Sequence, residues 1–497
     1  MMRAARSLAL LVCSLSVAAC GSDPQADGPG SGGGGGSGAT GTGGTAQPAP
    51  DGGADVNSTG GTAGQAGTGG SNTGGSGAAP QDGGAGSGGT VSEDGGAPEA
   101  STEAGPPNGD GGIAIGLVQV GTPAGDYGNG IALDGAGHRF VTGATYGGWG
   151  TSSGAGQADF FLAKVDSQNE VTWVRQFGTM AAEGGRAVTT DSNGNAYAAG
   201  TAYGSLPGFD NPMPGNGEAF VAKYDAAGNR TWLSVWETSA DDYVYAVAVD
   251  ASNRAYVAGS SDQDLFLVQF EADGKVGWSD VWGTSDYDEV IGVTIGPGGD
   301  IYVAGMVSGS IDGKAFAGEA DLFVSRYSTS GARLSTRLFG TADYDVALGI
   351  AHDATTDTLL VTGLTWGSLQ GQAHMGEGDV FVMRLDATLG PVWTTQFGTA
   401  GFDQGNYVAV DAQGHIFVTG ETDGVFGPGG GGDKDAFVAR LDGDGSVDWV
   451  RQWGSDQEDW GNAVTARDGR AFVAGTTLGT MGATAQGGID VFLLTVE

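Results

Sequence analysis

Cysteine is nearly missing from this sequence: the two present, Cys13 and Cys20, both lie within the first twenty residues. Everything beyond them has no disulfide framework and no thiol chemistry. Histidine is almost as scarce. The four (His138, His352, His374, His415) occupy unlike places in the pattern described below, which argues against a shared histidine metal site. Positive charge is short too: 20 Lys and Arg stand against 58 Asp and Glu, a formal net charge of −38, and none falls between Arg6 and Arg139. A nucleic acid would be repelled and would find no basic stripe able to release its counterions, so it is excluded as a partner. Small cations, cationic peptides and neutral glycans remain open. Two common catalytic signatures, His-Glu-x-x-His and the phosphate-cradling Gly-x-x-x-x-Gly-Lys, are absent as well.

What is abundant at the start is glycine. Residues 20–112 are Gly, Ser, Thr, Ala and Pro with scattered acids, in runs such as Gly32 to Gly36. Such a stretch buries too little apolar surface to offset its ordering entropy, and it reads as a disordered linker. Its reach, for about 90 flexible residues, is roughly 50–60 Å. Ahead of it, residues 1–19 carry Arg3 and Arg6, then an apolar run from Leu8 to Val17, too short for a permanent membrane span and shaped like a secretory signal. The run ends Val17-Ala18-Ala19-Cys20, which resembles the bacterial lipobox. That resemblance implies a signal peptide cleaved before Cys20 and a diacylglycerol-modified Cys20 as the first mature residue. Several acyl chains would anchor the protein to a membrane, since one alone binds marginally. Gly21 in place of Asp leans the expected location toward the outer membrane, on its surface or periplasmic side. Ordinary cleavage with an unmodified cysteine is the alternative.

From residue 113 to 497 one pattern recurs seven times. An aromatic-led strand ends at a Gly-Thr corner, an acid follows five residues after the Gly, and small-apolar and Gly-ended strands come next. A variable loop and a strand opening acid-x-Phe complete the unit. The corners fall near residues 121, 178, 237, 283, 340, 398 and 454, with Glu237 replacing the Gly once and a Ser following Gly454. The last unit stops after its acid-x-Phe strand, Asp490 to Glu497, while an extra strand, Ile113 to Val120, precedes the first corner. A ring of four-stranded sheets closes on itself by such a borrowed strand. The expected fold is all-β: a seven-bladed β-propeller, closed by an N-terminal strand that completes the last blade.

The repeated Phe of the third strand (Phe161, Phe220, Phe266, Phe323, Phe381, Phe437, Phe492) and the Trp opening the fourth (Trp173, Trp232, Trp278, Trp393, Trp449, with Leu334 taken as the substitute once) read as inter-blade packing. Third-strand cations, Lys164, Lys223, Arg326, Arg384 and Arg440, read as ion-paired or rim-directed. Gly340-Thr-Ala-Asp-Tyr-Asp345, Gly398-Thr-Ala-Gly-Phe-Asp403, Phe417-Val-Thr-Gly420 and Asp435-Ala-Phe-Val-Ala-Arg-Leu-Asp442 resemble the bacterial SBBP repeat family, named for its seven-bladed β-propeller. The likeness covers nearly all of 113–497. It implies the fold and a secreted or surface setting, and carries no chemistry residue by residue.

Candidate chemistry sits on one face. There the corner acids Asp126, Glu183, Asp242, Asp288, Asp345, Asp403 and Asp459 coincide with the variable loops, which bring Trp149, Phe209, Phe316, Trp366 and Phe426. As a ring the acids would hold a cation, calcium being the ion such carboxylates would admit. As turn residues each would instead accept backbone N–H bonds in its own corner, one role repeated seven times. Blade three has almost no loop, so Asp242 and Asp288 are expected to be the most accessible acids; Trp149 and Trp366 are expected either as aromatic contacts for a ligand or as packing of the loops against one another. The expected function is a non-enzymatic, membrane-anchored binding scaffold, monomeric, taking a protein or a polysaccharide. A glycan hydrolase or lyase using loop-face carboxylates, and a calcium-dependent adhesion module, are the alternatives.

Overall fold

The computed structural model describes residues 114–150, 152, 154–206, 208–209, 215–426, 433–482 and 485–497. Cys20, the signal segment and the linker lie outside these residues. Seven antiparallel sheets of four strands each make up the domain. In blade one the strands are Asp126–Leu133, Arg139–Thr145, Asp159–Val165 and Val171–Phe177, paired in chain order. Blades two to six repeat that order. Blade seven does not: Asp459–Arg467, Arg470–Thr477 and Asp490–Val496 are completed on the outside by Ala114–Val120. The borrowed strand pairs antiparallel with Asp490–Val496, from Ala114 opposite Val496 to Val120 opposite Val491. The inner strand of each blade packs on that of the next, and blade seven returns to blade one.

Burial follows strand rank. Second strands are buried along their length, as are nearly all third-strand residues, because both faces are covered by neighbouring blades. All seven repeated Phe have no exposure. Outer strands are largely half-buried, with exposed residues toward their starts. Each inner strand shifts register once against the second strand, as between Gly128 and Gly130. A carbonyl beside that irregularity presses on a second-strand glycine. A Cβ at Gly143 would stand 1.7 Å from the Tyr127 carbonyl oxygen and 2.9 Å from the Phe161 ring, so no side chain fits.

The outer-strand Trp locks one blade to the next. Trp232 donates from Nε1 to Ala272 O, Trp278 to Thr329 O and Trp393 to Gly443 O, each at 3.2 Å and each in the following blade's hairpin turn. The turn residue beneath the ring is a glycine with positive φ, such as Gly274 under Trp232, where a Cβ would fall 2.9 Å from the indole. The register corrects one assignment made from sequence. In blade four the residue opposite Arg326, where blades one, two, three, five and six place Trp, is Ser335 rather than Leu334. The turn it faces then carries Leu389, buried and at φ 66, in place of glycine. Bulk lost on one side of the seam returns on the other. The third-strand cations are ion-paired: Lys164 to Asp134 at 3.5 Å, Lys223 to Asp191 at 3.6 Å, Arg326 to Asp300 at 2.6 Å and Arg384 to Asp353 at 2.7 Å.

Candidate functional site: the axial funnel

The corner acids come first, because they frame the upper mouth of the ring. Thr122 donates to Asp126 Oδ2 from its backbone N at 2.5 Å and from Oγ1 at 3.0 Å. Thr238 does the same to Asp242 at 2.7 and 2.9 Å, Thr341 to Asp345 at 2.6 and 2.8 Å, and Ser455 to Asp459 at 2.5 and 2.9 Å. Thr179 with Glu183, Thr284 with Asp288 and Thr399 with Asp403 complete the set. Gly-Thr followed by an acid is therefore a closed turn, in which the carboxylate takes the backbone and hydroxyl donors of the residue four before it.

All seven corner acids have no exposure. That corrects the expected accessibility of Asp242 and Asp288. Blade three does have a loop of only two residues, between Ala255–Ser261 and Asp264–Phe270, but each carboxylate is enclosed by its own corner, and Asp288 also accepts from Ser308 N at 3.0 Å. Burial raises every one of these carboxyls above the ordinary range, and Asp126 reaches about 7 against hydrogen bonds from Thr145 and Thr122 that pull the other way. A second acid adds to the effect in most seams: Asp490 beside Asp126, Asp159 beside Glu183, Asp264 beside Asp288, Asp379 beside Asp403 and Asp435 beside Asp459. Where Glu237 replaces the corner glycine, Glu218 is pushed up to about 7, by burial first and by the neighbouring acids Glu237 and Asp242 next. Among the described residues no group of three or more His, Cys, Asp or Glu is placed to hold a metal ion.

The loop aromatics are also more enclosed than expected. Trp149 is 2% exposed, its ring centroid 4.7 Å from that of Phe161. A glutamine two residues before the corner glycine draws that loop inward. Gln176 Oε1 accepts from Trp149 N at 2.8 Å, while Nε2 donates to Gly147 O at 2.9 Å and Asp159 Oδ2 at 2.7 Å. Gln396, Gln452 and the borrowed strand's Gln119 clasp their loops in the same way. Trp366 is half-buried against the cluster of Met306, Val346 and Leu364. Phe426 packs 5.3 Å from Phe437. Phe209 and Phe316 are half-buried.

Sequence reading passed over the residues one and three places after each corner acid. Strand alternation turns these away from the buried acid and toward the axis. The third place reads Asn129, Arg186, Tyr245, Ile291, Leu348, Asn406 and Asn462 around the ring, and all seven line one open cavity of about 130 Å³ with Tyr127, Gln404, Tyr407 and Trp460. The lining is polar over blades six, seven and one, cationic at blade two and apolar at blades four and five. Each Asn donates from Nδ2 to a backbone carbonyl of the following blade: Asn129 to Gly185 at 2.8 Å, Asn406 to Gly461 at 3.1 Å and Asn462 to Gly128 at 2.8 Å. Arg186 lies over the Tyr245 ring at 5.7 Å. Tyr245 hydroxyl donates to Glu289 at 3.0 Å. The signal was there to be used: the acid marks the phase of the inner strand, and counting from it gives the axial positions.

The chain is similar to several known proteins. A curated relative, the WD repeat-containing protein L264 of Acanthamoeba polyphaga mimivirus, is 28% identical over 19% of this chain and only 8% of its own length. Among solved structures, Sqt1 of Chaetomium thermophilum bound to the N-terminus of ribosomal protein L10 is 12% identical, with 78% of this chain and all of that one covered at a TM-score of 0.44. A gluconolactonase of Xanthomonas campestris is 10% identical, with 81% and 98% covered at a TM-score of 0.36. The family model for the SBBP β-propeller repeat matches residues 172–207 and 392–427, in blades one to two and five to six. With seven four-stranded blades and one corner motif written through all of them, the chain is a seven-bladed β-propeller, two stretches of which match the SBBP β-propeller repeat.

Proposed function

We propose that this protein is a non-enzymatic lipoprotein of the cell envelope, held at the outer membrane by acyl chains on Cys20, whose propeller is a monomeric binding scaffold for a polysaccharide or a protein. The observation that supports the binding role is the contrast between corner and axis. Corner acids, corner hydroxyls and third-strand Phe repeat almost without change, and the acids and the Phe are buried. The axial positions differ from blade to blade and line an open cavity. Selective recognition needs unlike groups at fixed places, and a ring of near-identical repeats offers them where the repeats diverge. Amide, aromatic and guanidinium groups suit hydrogen bonding and stacking on a polar ligand.

The test uses the full chain with Cys20→Ala, immobilised and exposed to purified envelope polysaccharides and to envelope protein extracts. Retention of a polymer or protein whose length is unchanged is the expected result. A shortened polysaccharide would transfer the assignment to a hydrolase or lyase. Failure to retain any polymer or protein would remove the scaffold role.

A further inference from the structure

Arg186 is the one cation among the residues lining the funnel, in a chain whose formal net charge is −38. Every third-strand Lys or Arg described above has a carboxylate partner; Arg186 has none within ion-pair distance among the described residues. Its Nε hydrogen is buried without an acceptor, and its guanidinium rests on the face of Tyr245. A guanidinium braced by an aromatic ring and left without a counter-ion presents a planar fork for a carboxylate. On the side away from Tyr245, over blades one and seven, the chemistry changes. Asn129 and Asn462 spend their Nδ2 donors on backbone carbonyls of the next blade, which leaves the Oδ1 atoms as acceptors with fixed orientation. Tyr127 adds a half-buried ring to the same wall.

Resting on the scaffold reading above, we propose that the funnel binds the terminal uronate of an acidic polysaccharide. Arg186 takes the sugar carboxylate, Asn129 and Asn462 accept hydrogen bonds from its hydroxyls, and Tyr127 covers a face of the pyranose ring. A single guanidinium suits a monoanion, and acceptor amides suit a ligand rich in hydroxyl donors; the two together describe an acidic sugar. The negative surroundings are tempered where it matters, because the corner acids nearest the funnel are buried and hydrogen-bonded in their own turns.

Calorimetric titration of the full chain carrying Cys20→Ala, with digalacturonic acid and with its methyl ester, isolates the carboxylate. The acid is expected to bind at least tenfold more tightly than the ester. Arg186→Gln should cost the acid at least tenfold and leave the ester unchanged, with the melting midpoint held. Should that variant melt early, Arg186→Lys, which keeps the charge and loses the fork, should show a smaller loss of the same kind. Equal affinity for acid and ester, or acid binding untouched in both variants, would overturn the proposal. So would a peptide whose only carboxylate is its C-terminus binding as tightly as the sugar acid. Retention of whole polymers without an acid–ester difference leaves the scaffold standing and removes the uronate; disaccharide binding without polymer retention does the reverse.

Discussion

Carboxyls set opposite limits on the pH range in which the fold is most stable. Asp126 holds its proton up to about 7 in the folded chain, whereas an unfolded Asp releases it near ~4. Its contribution is full below that lower value and is lost as pH rises through 7. The other corner acids are shifted the same way by burial. Asp353 runs oppositely: despite burial, hydrogen bonds from Thr355, Arg384 and Thr356 hold it down to about 2, so its contribution is present above ~4 and is lost as pH falls toward 2. The melting midpoint should therefore rise as pH is lowered from 7 to about 5 and fall again in stronger acid. Asp126→Asn should flatten the upper limb and leave the lower one in place; an unchanged upper limb would show that the corner carboxyls are not its source. Calcium is expected to leave the curve where it is, since the corner carboxylates are already occupied by Thr or Ser donors and shut off from solvent. A calcium-dependent rise at neutral pH, abolished by Asp242→Asn with Asp288→Asn, would return those two residues to the list of ion ligands.

One strand decides closure at the element scale. Ala114–Val120 covers the edge of Asp490–Val496 and delivers Gln119 to the last blade's loop, where it bonds Gly479 O at 2.9 Å and Met481 N at 3.1 Å. Deleting 113–120 should expose a buried sheet edge and lower the melting midpoint sharply, while deleting 22–108 should leave it unchanged; equal midpoints would refute that role. This element was readable from sequence because the repeat starts out of phase, and a missing strand at one end matched a spare at the other. Blade four's Trp position was misread by one place because Leu334 is the nearest large apolar residue, whereas pairing with Arg326 selects Ser335. The corner turn was legible as a turn, yet its enclosure was not, since nothing local to Asp242 records how tightly its own Thr238 wraps it. Trp149 was placed at the surface for the same reason: the glutamine that folds its loop inward, Gln176, lies on another strand.

For the whole molecule, anchoring and recognition are separable. Cys20→Ala should abolish labelling by a palmitate analogue and move the protein from the membrane to the soluble fraction without altering what the propeller retains. Persistent labelling would sink the lipobox reading. The borrowed strand also has a mechanical consequence. Residues 1–113 join the domain through Ala114, on the outermost strand of a single blade. A pull on that segment against the propeller would load one strand pair before it loads any of the seven cores. The pair would part from Ala114 opposite Val496 toward Val120 opposite Val491, one residue couple after another, with the Gln119 clasp near the end of the path. Under tension the ring would open at its seam at low force and reclose on release, while the six hairpin-built blades remain folded.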